Sequence, residues 1–279
     1  MNPNTFFRIS RERLLEFYPE VTANSKAQYK AALNIAENGN PGIAIPHLLV
    51  SVEENIKALV MVLDARGFKF REIEGMEIFF TRHDIRFFIG YFMFIIAVFG
   101  DDLAKQLKYL KENPAKIDEI LKDKNARDIS FKWYLLRRLL ALRDEKKWFA
   151  KAEFLRQNGL YVDMKEGTLI TPKQVTDIEF EEARIRVEKV NKVVQYFIEG
   201  FLDPNPETVL QIESIQKKLA KMKVYSVIEV ELKNVRKGKK SFFQLLDEKF
   251  TSELFDRAKR KETRNFLDLS DRIKKNRKK

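Results

Sequence analysis

The fold is decided by the stretch NPGIAIPHLLVSVEENIKALVMVLDARG, residues 40–67. Asn40-Pro41 begins a helix, since a proline in the first turn loses no helical hydrogen bond, and Gly67 ends it. At 100° per residue, one apolar stripe of the helix consists of Ile45, Leu49, Val52, Ile56, Leu59 and Leu63. The opposite side of the helix is also apolar and includes Val50, Ala58 and Met61. We therefore expect a helix that is buried on two sides, inside its own bundle and, as one option, against a second subunit.

Further helices are predicted on both sides of this stretch. Asn24 is expected to cap a helix that ends before Gly39, and another helix begins near His83. Residues 130–157 and 174–201 show helical spacing of their apolar side chains. The other segments are a connector at residues 68–80, a short helix at 105–124 broken by Asn113-Pro114, and an extended stretch at 160–163 with a turn at 165–167.

Composition supports an all-α class and limits the chemistry. The chain is 44% hydrophobic, with only ten glycines and eight prolines, which favours long helices over turn-rich β architecture. It contains no cysteine, so disulfides, a zinc ribbon and a cysteine nucleophile are excluded. A chain without cysteine fits the reducing cytosol. The spacing of its acidic residues and two histidines identifies no metal site.

The best domain boundary is Asp203-Pro204-Asn205-Pro206, because two prolines prevent a helix from continuing. We therefore divide the chain into a helical domain at residues 1–203 and a helical, basic C-terminal extension at residues 204–279. Residues 207–279 carry 21 Lys and Arg against 11 Asp and Glu. Such a segment attracts a polyanion such as RNA, or it is simply a solvated helical surface. Charge alone leaves both interpretations open.

The strongest apolar run is Phe87–Phe99, which is shorter than the roughly 20 residues that a spanning helix needs. We expect a buried core or dimer helix there. The N-terminal residues show no signal peptide. The sequence therefore predicts a cytoplasmic protein without a membrane partner, and a membrane-acting toxin that uses Phe87–Phe99 is the less favoured interpretation.

Three charged residues interrupt the apolar central helix. Glu53 and Lys57 are spaced four residues apart and can pair, and Glu54 lies nearby. An isolated pair of this kind is usually an ordinary intrahelical salt bridge. Here the helix is apolar almost all round, and buried charges need partners, so these side chains are candidates for a functional cluster.

His83 begins the third predicted helix and is flanked by Arg82 and Arg86. Free N–H groups at a helix N-terminus attract phosphate, so a histidine with two arginines there forms a plausible phosphate site. A histidine that caps the helix or packs against the connector is an equally good interpretation. The only other histidine, His47, is expected to be a hydrogen-bonded core or interface residue.

These motifs together resemble the AbiV family, bacterial abortive-infection proteins of the HEPN superfamily. The order that carries the resemblance begins with Asn34-x-Ala36 and the Ala44 region. It continues with Glu53-Glu54-x-x-Lys57-Ala58 and Phe79/Phe80-x-x-His83-x-x-Arg86. Later in the chain, Leu160-Tyr161-Val162-Asp163 and Pro172 precede an acidic helix. The resemblance covers about residues 24–200.

The resemblance implies a dimeric, HEPN-like antiparallel helical bundle that acts against phage infection. Many HEPN proteins are endoribonucleases that need neither a metal nor another cofactor and build one site between two subunits. Their usual signature is an arginine four to six residues ahead of a histidine, and no arginine precedes His83 or His47 at that distance. The Glu-Glu-x-x-Lys and His-x-x-Arg motifs would have to serve instead.

For RNA cleavage by attack of its own 2′-OH, the predicted catalytic set is His83, Arg86, Lys57, Glu53 and Glu54. His83 is the acid or base, because an ordinary imidazole titrates near neutral pH. Arg86 and Lys57 would stabilise the charge on phosphorus. Arg82 and Arg86 would bind the RNA phosphates, and a glutamate would orient His83 or hold Lys57. The alternative is a homodimer that binds RNA or a phage protein, the latter as a trigger, without cutting.

Overall fold

Nearly all of the described chain is helical. The computed structural model describes residues 3–112, 142, 144–165, 168–221, 224–236 and 243–244. The elements are helices α1 (Pro3–Arg8), α2 (Arg11–Glu37), α3 (Pro41–Ala65), α4 (Glu77–Thr81), α5 (His83–Glu112) and α6 (Ala152–Leu160), strands β1 (Asp163–Lys165) and β2 (Thr168–Ile170), and helices α7 (Asp177–Leu202), α8 (Pro206–Lys221) and α9 (Val224–Arg236). Residues 144–150 are also helical, and 3-10 turns occupy Phe70–Glu72 and Pro172–Gln174. The predicted all-α class is confirmed, and predictions for residues 113–141 lie outside the described part.

Helix α3 is the centre of the bundle. It packs along α2 and also contacts α5, α6 and α7. Three residues join α2 to α3, so these two helices run antiparallel. Side chains on both predicted apolar sides of α3 are buried, including Leu49 and Ile56 on one side and Ala58 and Met61 on the other. Neighbouring helices of the same chain provide this burial.

Helix α2 begins earlier than the sequence predicts. Its cap is Ser10, whose hydroxyl accepts a hydrogen bond from the backbone N–H of Arg13. Asn24, the predicted cap, lies inside the helix. Packing of Leu14 and Ala32 into the core extends the helix through Pro19, because burial of an apolar face outweighs local helix-breaking preferences.

Helix α6 continues through Asn158 and Gly159, beyond residue 157, where the predicted helical stretch ends. A Cβ atom on Gly159 would lie 2.5 Å from the carbonyl oxygen of Gly42 and 2.5 Å from ring atoms of Pro46. The glycine is therefore required by the close approach of α6 to α3. Its lack of a side chain serves packing here, and the helix continues to Leu160.

A short antiparallel hairpin follows α6. Asp163 pairs with Ile170, and Lys165 pairs with Thr168. The extended stretch predicted at residues 160–163 is thus displaced, since Leu160 ends a helix and the strand begins at Asp163. Residues 166 and 167 of the predicted turn lie outside the described part.

The described portion of the C-terminal extension packs on the bundle. Leu232 and Val235 of α9 are buried in the main core. Lys233 Nζ lies 2.8 Å from Glu74, and Gln216 in α8 donates to the carbonyl of Arg66. Helix α7 ends at the predicted boundary, and the division into two domains stays a prediction.

Helix α5 contains a long apolar stretch. Residues His83–Asp101 are long and apolar enough to span a membrane, which no other segment of the described chain matches. A core helix meets the same criteria. Phe87 and Phe94 are buried in the core, whereas Phe92 is 54% exposed. The helix thus has one face in the bundle.

Candidate functional site

Helices α3 and α5 bring three predicted site residues into direct contact. His83 Nδ1 lies 2.8 Å from both carboxylate oxygens of Glu53. Arg86 donates to the same carboxylate through Nε at 3.1 Å and through Nη2 at 2.9 Å. One buried carboxylate from the middle of α3 therefore binds both the imidazole and the guanidinium of α5.

The position of these groups follows from helix geometry. His83 is the first residue of α5, and Arg86 follows it by three residues, so the two side chains share a face of the helix. Arg82 precedes α5 in an extended conformation, which ends α4 and lets the chain turn into the next helix. Glu53 comes from α3, which crosses this end of α5.

Burial and charge act in opposite directions on Glu53. Its side chain is only 3% exposed. Loss of water by burial raises the pKa of Glu53, but the hydrogen bond with His83 and the charge of Arg86 lower it, and the net pKa lies below the ordinary glutamate value. The carboxylate is therefore ionised at neutral pH and can only accept hydrogen bonds.

The ionised state of Glu53 fixes the imidazole tautomer. Since the carboxylate only accepts, the proton lies on His83 Nδ1. Arg86 Nη2, 2.9 Å from the same nitrogen, is also a donor, so both groups direct their hydrogens to Glu53. In the neutral imidazole the lone pair is then on Nε2. This nitrogen has no hydrogen bond among the described residues, and the side chain is 35% exposed.

Arg86 is an interior residue. Its side chain is 2% exposed, and Nη1 donates to the carbonyl of Phe79 at 2.6 Å. Every nitrogen of the guanidinium thus has a partner inside the protein. From this position its charge acts on Glu53 and His83, and a direct contact with RNA phosphate would require these bonds to break.

Lys57 pairs with Glu54, three residues before it, and not with Glu53 as its spacing suggested. Both side chains are largely buried. Glu53 instead accepts two charge-assisted hydrogen bonds from Arg86 on its Oε2 atom, and bonds of this kind are strong. The two predicted carboxylates therefore have different partners: Glu53 orients His83, and Glu54 binds Lys57.

Arg82 is partly exposed beside the histidine. Its guanidinium binds both oxygens of Asp84, at 2.9 and 2.8 Å. Nη1 also donates to the carbonyl of Val235 in α9 at 3.2 Å. This arginine therefore ties the C-terminal extension to the site, and it is the cation next to His83 that solvent reaches.

Arg156 of α6 is a further cation near the site that sequence reasoning missed. It forms a bidentate pair with Glu153 at 3.0 and 2.8 Å. The hydrogen bond with Glu153 raises the pKa of Arg156, and the charge of Glu53 contributes to the same shift. The guanidinium thus lies within electrostatic reach of Glu53. Its motif, Glu-x-x-Arg on a helix, is too common to have been singled out.

The second histidine lies elsewhere in the bundle. His47 Nδ1 is 2.7 Å from Gln28 Oε1 of α2, so it is a hydrogen-bonded structural residue as expected. The described ranges also contain no group of three or more acidic or histidine side chains that could hold a metal ion.

In a comparison with protein families, residues 13–192 match a HEPN family model described as AbiV. That range includes α3, the start of α5 and α6, which together carry the contacts of Glu53, His83, Arg86 and Arg156. No curated protein and no solved structure matches the chain.

Proposed function

Because this chain belongs to the AbiV family of the HEPN superfamily, we propose that it is an abortive-infection effector that cuts RNA without a metal ion. The family match covers more than half of the chain and supports an abortive-infection, HEPN-type role. The RNA-cutting activity is the further step of the proposal, and it rests on the geometry of His83.

One observation carries the proposal. A partly exposed imidazole has its Nδ1 held by a buried, ionised glutamate, while Nε2 has no hydrogen bond to the described residues. A carboxylate in this place fixes the tautomer and stabilises the imidazolium that forms when Nε2 takes a proton. A histidine that served only to cap α5 would not need a buried ion pair behind it.

The proposed RNA cleavage proceeds by general acid–base catalysis. His83 Nε2 takes the proton of the RNA 2′-OH, and the 2′-oxygen attacks the adjacent phosphorus. The bond from phosphorus to the 5′-oxygen breaks, and that oxygen receives a proton. The products are a 2′,3′-cyclic phosphate and a 5′-hydroxyl, so no water or metal-bound hydroxide is consumed in this step.

The cations have different roles in this scheme. Arg86 is buried and positions His83 through Glu53. Arg82, beside the histidine and partly exposed, is the residue proposed to contact RNA phosphate. Lys57 is held by Glu54 and contributes positive charge from α3.

A homodimer completes the proposed site. One His83 can act as the base, and an acid is still needed for the leaving 5′-oxygen. A two-fold axis near the start of α5 would supply the second His83 in its protonated form and a second Arg82. We therefore propose that the active species is a dimer, which sedimentation would detect as a mass of about twice the 33.0 kDa chain.

The proposal is tested by incubating the purified protein with total RNA in EDTA, beside its His83→Ala and His47→Ala variants. Wild type and His47→Ala should yield fragments with 2′,3′-cyclic phosphate ends, while folded His83→Ala should lose cleavage by at least about a hundredfold. Full cleavage by His83→Ala would falsify the catalytic role. RNA binding without cleavage by all three proteins would instead support the non-catalytic homodimer.

The proposal also treats α5 as a helix of the bundle and places the protein in the cytoplasm. Recovery of the expressed chain in the membrane fraction after washing with high salt would contradict it.

We expect the trigger to be a phage protein. It would be sought by co-expressing phage proteins with the wild-type chain and with His83→Ala.

A further inference from the structure

The C-terminal extension reaches the proposed RNA site through helix α9. Arg82 donates through Nη1 to the carbonyl of Val235 at 3.2 Å, and Val235 lies in the last turn of α9. The last carbonyls of a helix have no partner inside it, and they form its negative end. Arg82 is therefore held by a hydrogen bond and by the dipole of α9.

This contact occupies the cation that the proposed function assigns to RNA phosphate. The other two nitrogens of the Arg82 guanidinium, Nε and Nη2, bind the two carboxylate oxygens of Asp84. With α9 in place, each nitrogen of the guanidinium thus has a partner, and a carboxylate and a negative helix end both face it. A phosphate that approaches Arg82 is repelled by these two groups, which weakens its binding.

Helix α9 is attached to the bundle by a small apolar contact and by exposed charges. Two apolar side chains of α9 are buried in the main core, Leu232 and Val235. At the surface, Lys233 Nζ lies 2.8 Å from Glu74, and Arg236 Nη1 lies 3.1 Å from Glu77 in the first turn of α4. Arg236 is 64% exposed, and exposed ion pairs contribute little to stability. The attachment of α9 can therefore be weakened without unfolding the bundle.

Helix α9 also lies outside the part of the chain that matches the AbiV family model. The match ends at residue 192 and includes Arg82 and His83, whereas α9 begins at Val224. The proposed site therefore belongs to the matched domain, and the contact with Arg82 comes from a segment beyond it. Such a segment can change the activity of the site without taking part in its chemistry.

We infer that α9 is an autoinhibitory helix, which in the docked position keeps Arg82 from RNA phosphate and on release from α4 allows Arg82 to bind it. Release removes the bond to Val235 and the negative helix end. The bonds to Asp84 can remain, because a guanidinium has five N–H donors. This inference rests on the proposed role of Arg82 in binding RNA.

RNA binding by a charge-reversed variant tests the inference without relying on cleavage. The variant is made in the full-length His83→Ala chain and titrated with a single-stranded RNA oligonucleotide, with fluorescence anisotropy as the readout. Arg236→Glu places a carboxylate opposite Glu77 and should loosen α9, so that the RNA binds at least about threefold more tightly. Net charge alone predicts weaker binding, since a positive side chain becomes negative.

Further variants show whether the gain comes from α9 and Arg82. Addition of Glu77→Arg to Arg236→Glu restores a pair of opposite charges and should return the affinity to that of the parent chain. Addition of Arg82→Gln to Arg236→Glu should abolish the gain. Lys217→Glu is the matched control, because Lys217 is an exposed cation of α8, at 81%, and makes the same change of charge. It should bind RNA no more tightly than the parent chain.

Hydrogen exchange of the α9 amides measures release directly. Exchange should be faster in Arg236→Glu than in the parent chain and slow again in the double variant with Glu77→Arg. Unchanged exchange, or faster exchange with unchanged or weaker RNA binding, overturns the inference. If the wild-type protein cuts no RNA while Arg236→Glu releases α9 and binds RNA more tightly, the catalytic proposal fails and the autoinhibitory role of α9 stands.

Discussion

The Glu53 carboxylate and the Arg86 guanidinium form a buried ion pair, 2.9 Å apart at the closest atoms, that joins α3 to α5. Each side chain has at most 3% of its surface exposed. Such a pair is weak support for stability as a whole, but either member left alone would be a buried, uncompensated charge. Its location directly behind His83 makes it the structural basis of the proposed site.

Replacement of Arg86 by methionine should therefore be strongly destabilising. Methionine preserves much of the volume but leaves Glu53 with His83 as its remaining partner. We expect the free energy of unfolding, measured with urea, to fall by about 3–5 kcal/mol.

Arg13→Met is the matched control, since Arg13 is exposed and its nearest carboxylate is 3.9 Å away. That change should cost less than about 1 kcal/mol. A similar small effect for Arg86→Met would show that the buried pair is not needed to keep Glu53 in place.

The lowered pKa of Glu53 predicts a specific loss of stability in acid. Burial raises the pKa of Glu53, but His83 and Arg86 together lower it by more, so the folded-state pKa is below that of the unfolded chain. Such a carboxylate stabilises the fold above the unfolded pKa, about 4.3, and the contribution disappears as the pH falls through the folded-state pKa. The stability difference between wild type and Glu53→Gln should therefore be large near neutral pH and shrink as the pH falls below the unfolded-state pKa.

Denaturant unfolding of both proteins across this pH range measures the effect. Glu20→Gln, at an exposed position of α2, should follow wild type at every pH. A gap between wild type and Glu53→Gln that stays constant with pH would show that ionisation of Glu53 does not contribute.

Much of the fold could be predicted because local signals agree with packing. The two-sided apolar pattern of α3 and its limits at Pro41 and Gly67 correspond to a helix from Pro41 to Ala65. The start of α5 at His83 also follows the sequence prediction. Errors occurred where a tertiary contact outweighed a local signal, as at Asn24 inside α2 and Gly159 inside α6.

The sequence identified residues that meet at the candidate site, but it did not show which of them bond to each other. Residue types and spacing selected Glu53 and His83, which the structure brings into contact. They could not show that Arg86 turns inward to Glu53, or that Lys57 bonds to Glu54, because spacing along one helix says nothing of the donors that a second helix brings. Arg156 could not be found, since its approach depends on how α6 packs against α3.

The position of Arg156 near Glu53 predicts a role in RNA cleavage. Its replacement by glutamine removes a positive charge from the region of the site and leaves an amide group that can still donate to Glu153. We expect cleavage of RNA to fall by at least about tenfold, because a fixed positive charge near a reacting phosphate stabilises the negative charge that develops there.

Arg184→Gln provides the comparison, as this arginine also forms intrahelical pairs, with Glu181 and Glu188 of α7. It should cleave RNA at the wild-type rate. Equal activity of the two variants would exclude Arg156 from the site.

Substitution of glycine by alanine should have opposite effects on stability at Gly42 and at Gly200. A Cβ atom on Gly42 would lie 1.8 Å from the backbone oxygen of Pro172, whereas one on Gly200 would meet nothing within 4 Å. Gly42→Ala should therefore lower the free energy of unfolding by about 1–3 kcal/mol, because the chain at Pro172 must shift away from α3. Gly200→Ala, inside α7, should raise it by about 0.5–1 kcal/mol, since alanine loses less backbone entropy in a helix. Thermal or urea unfolding of the two variants measures the pair, and a stabilised Gly42→Ala would show that α3 and the Pro172 turn are further apart than described.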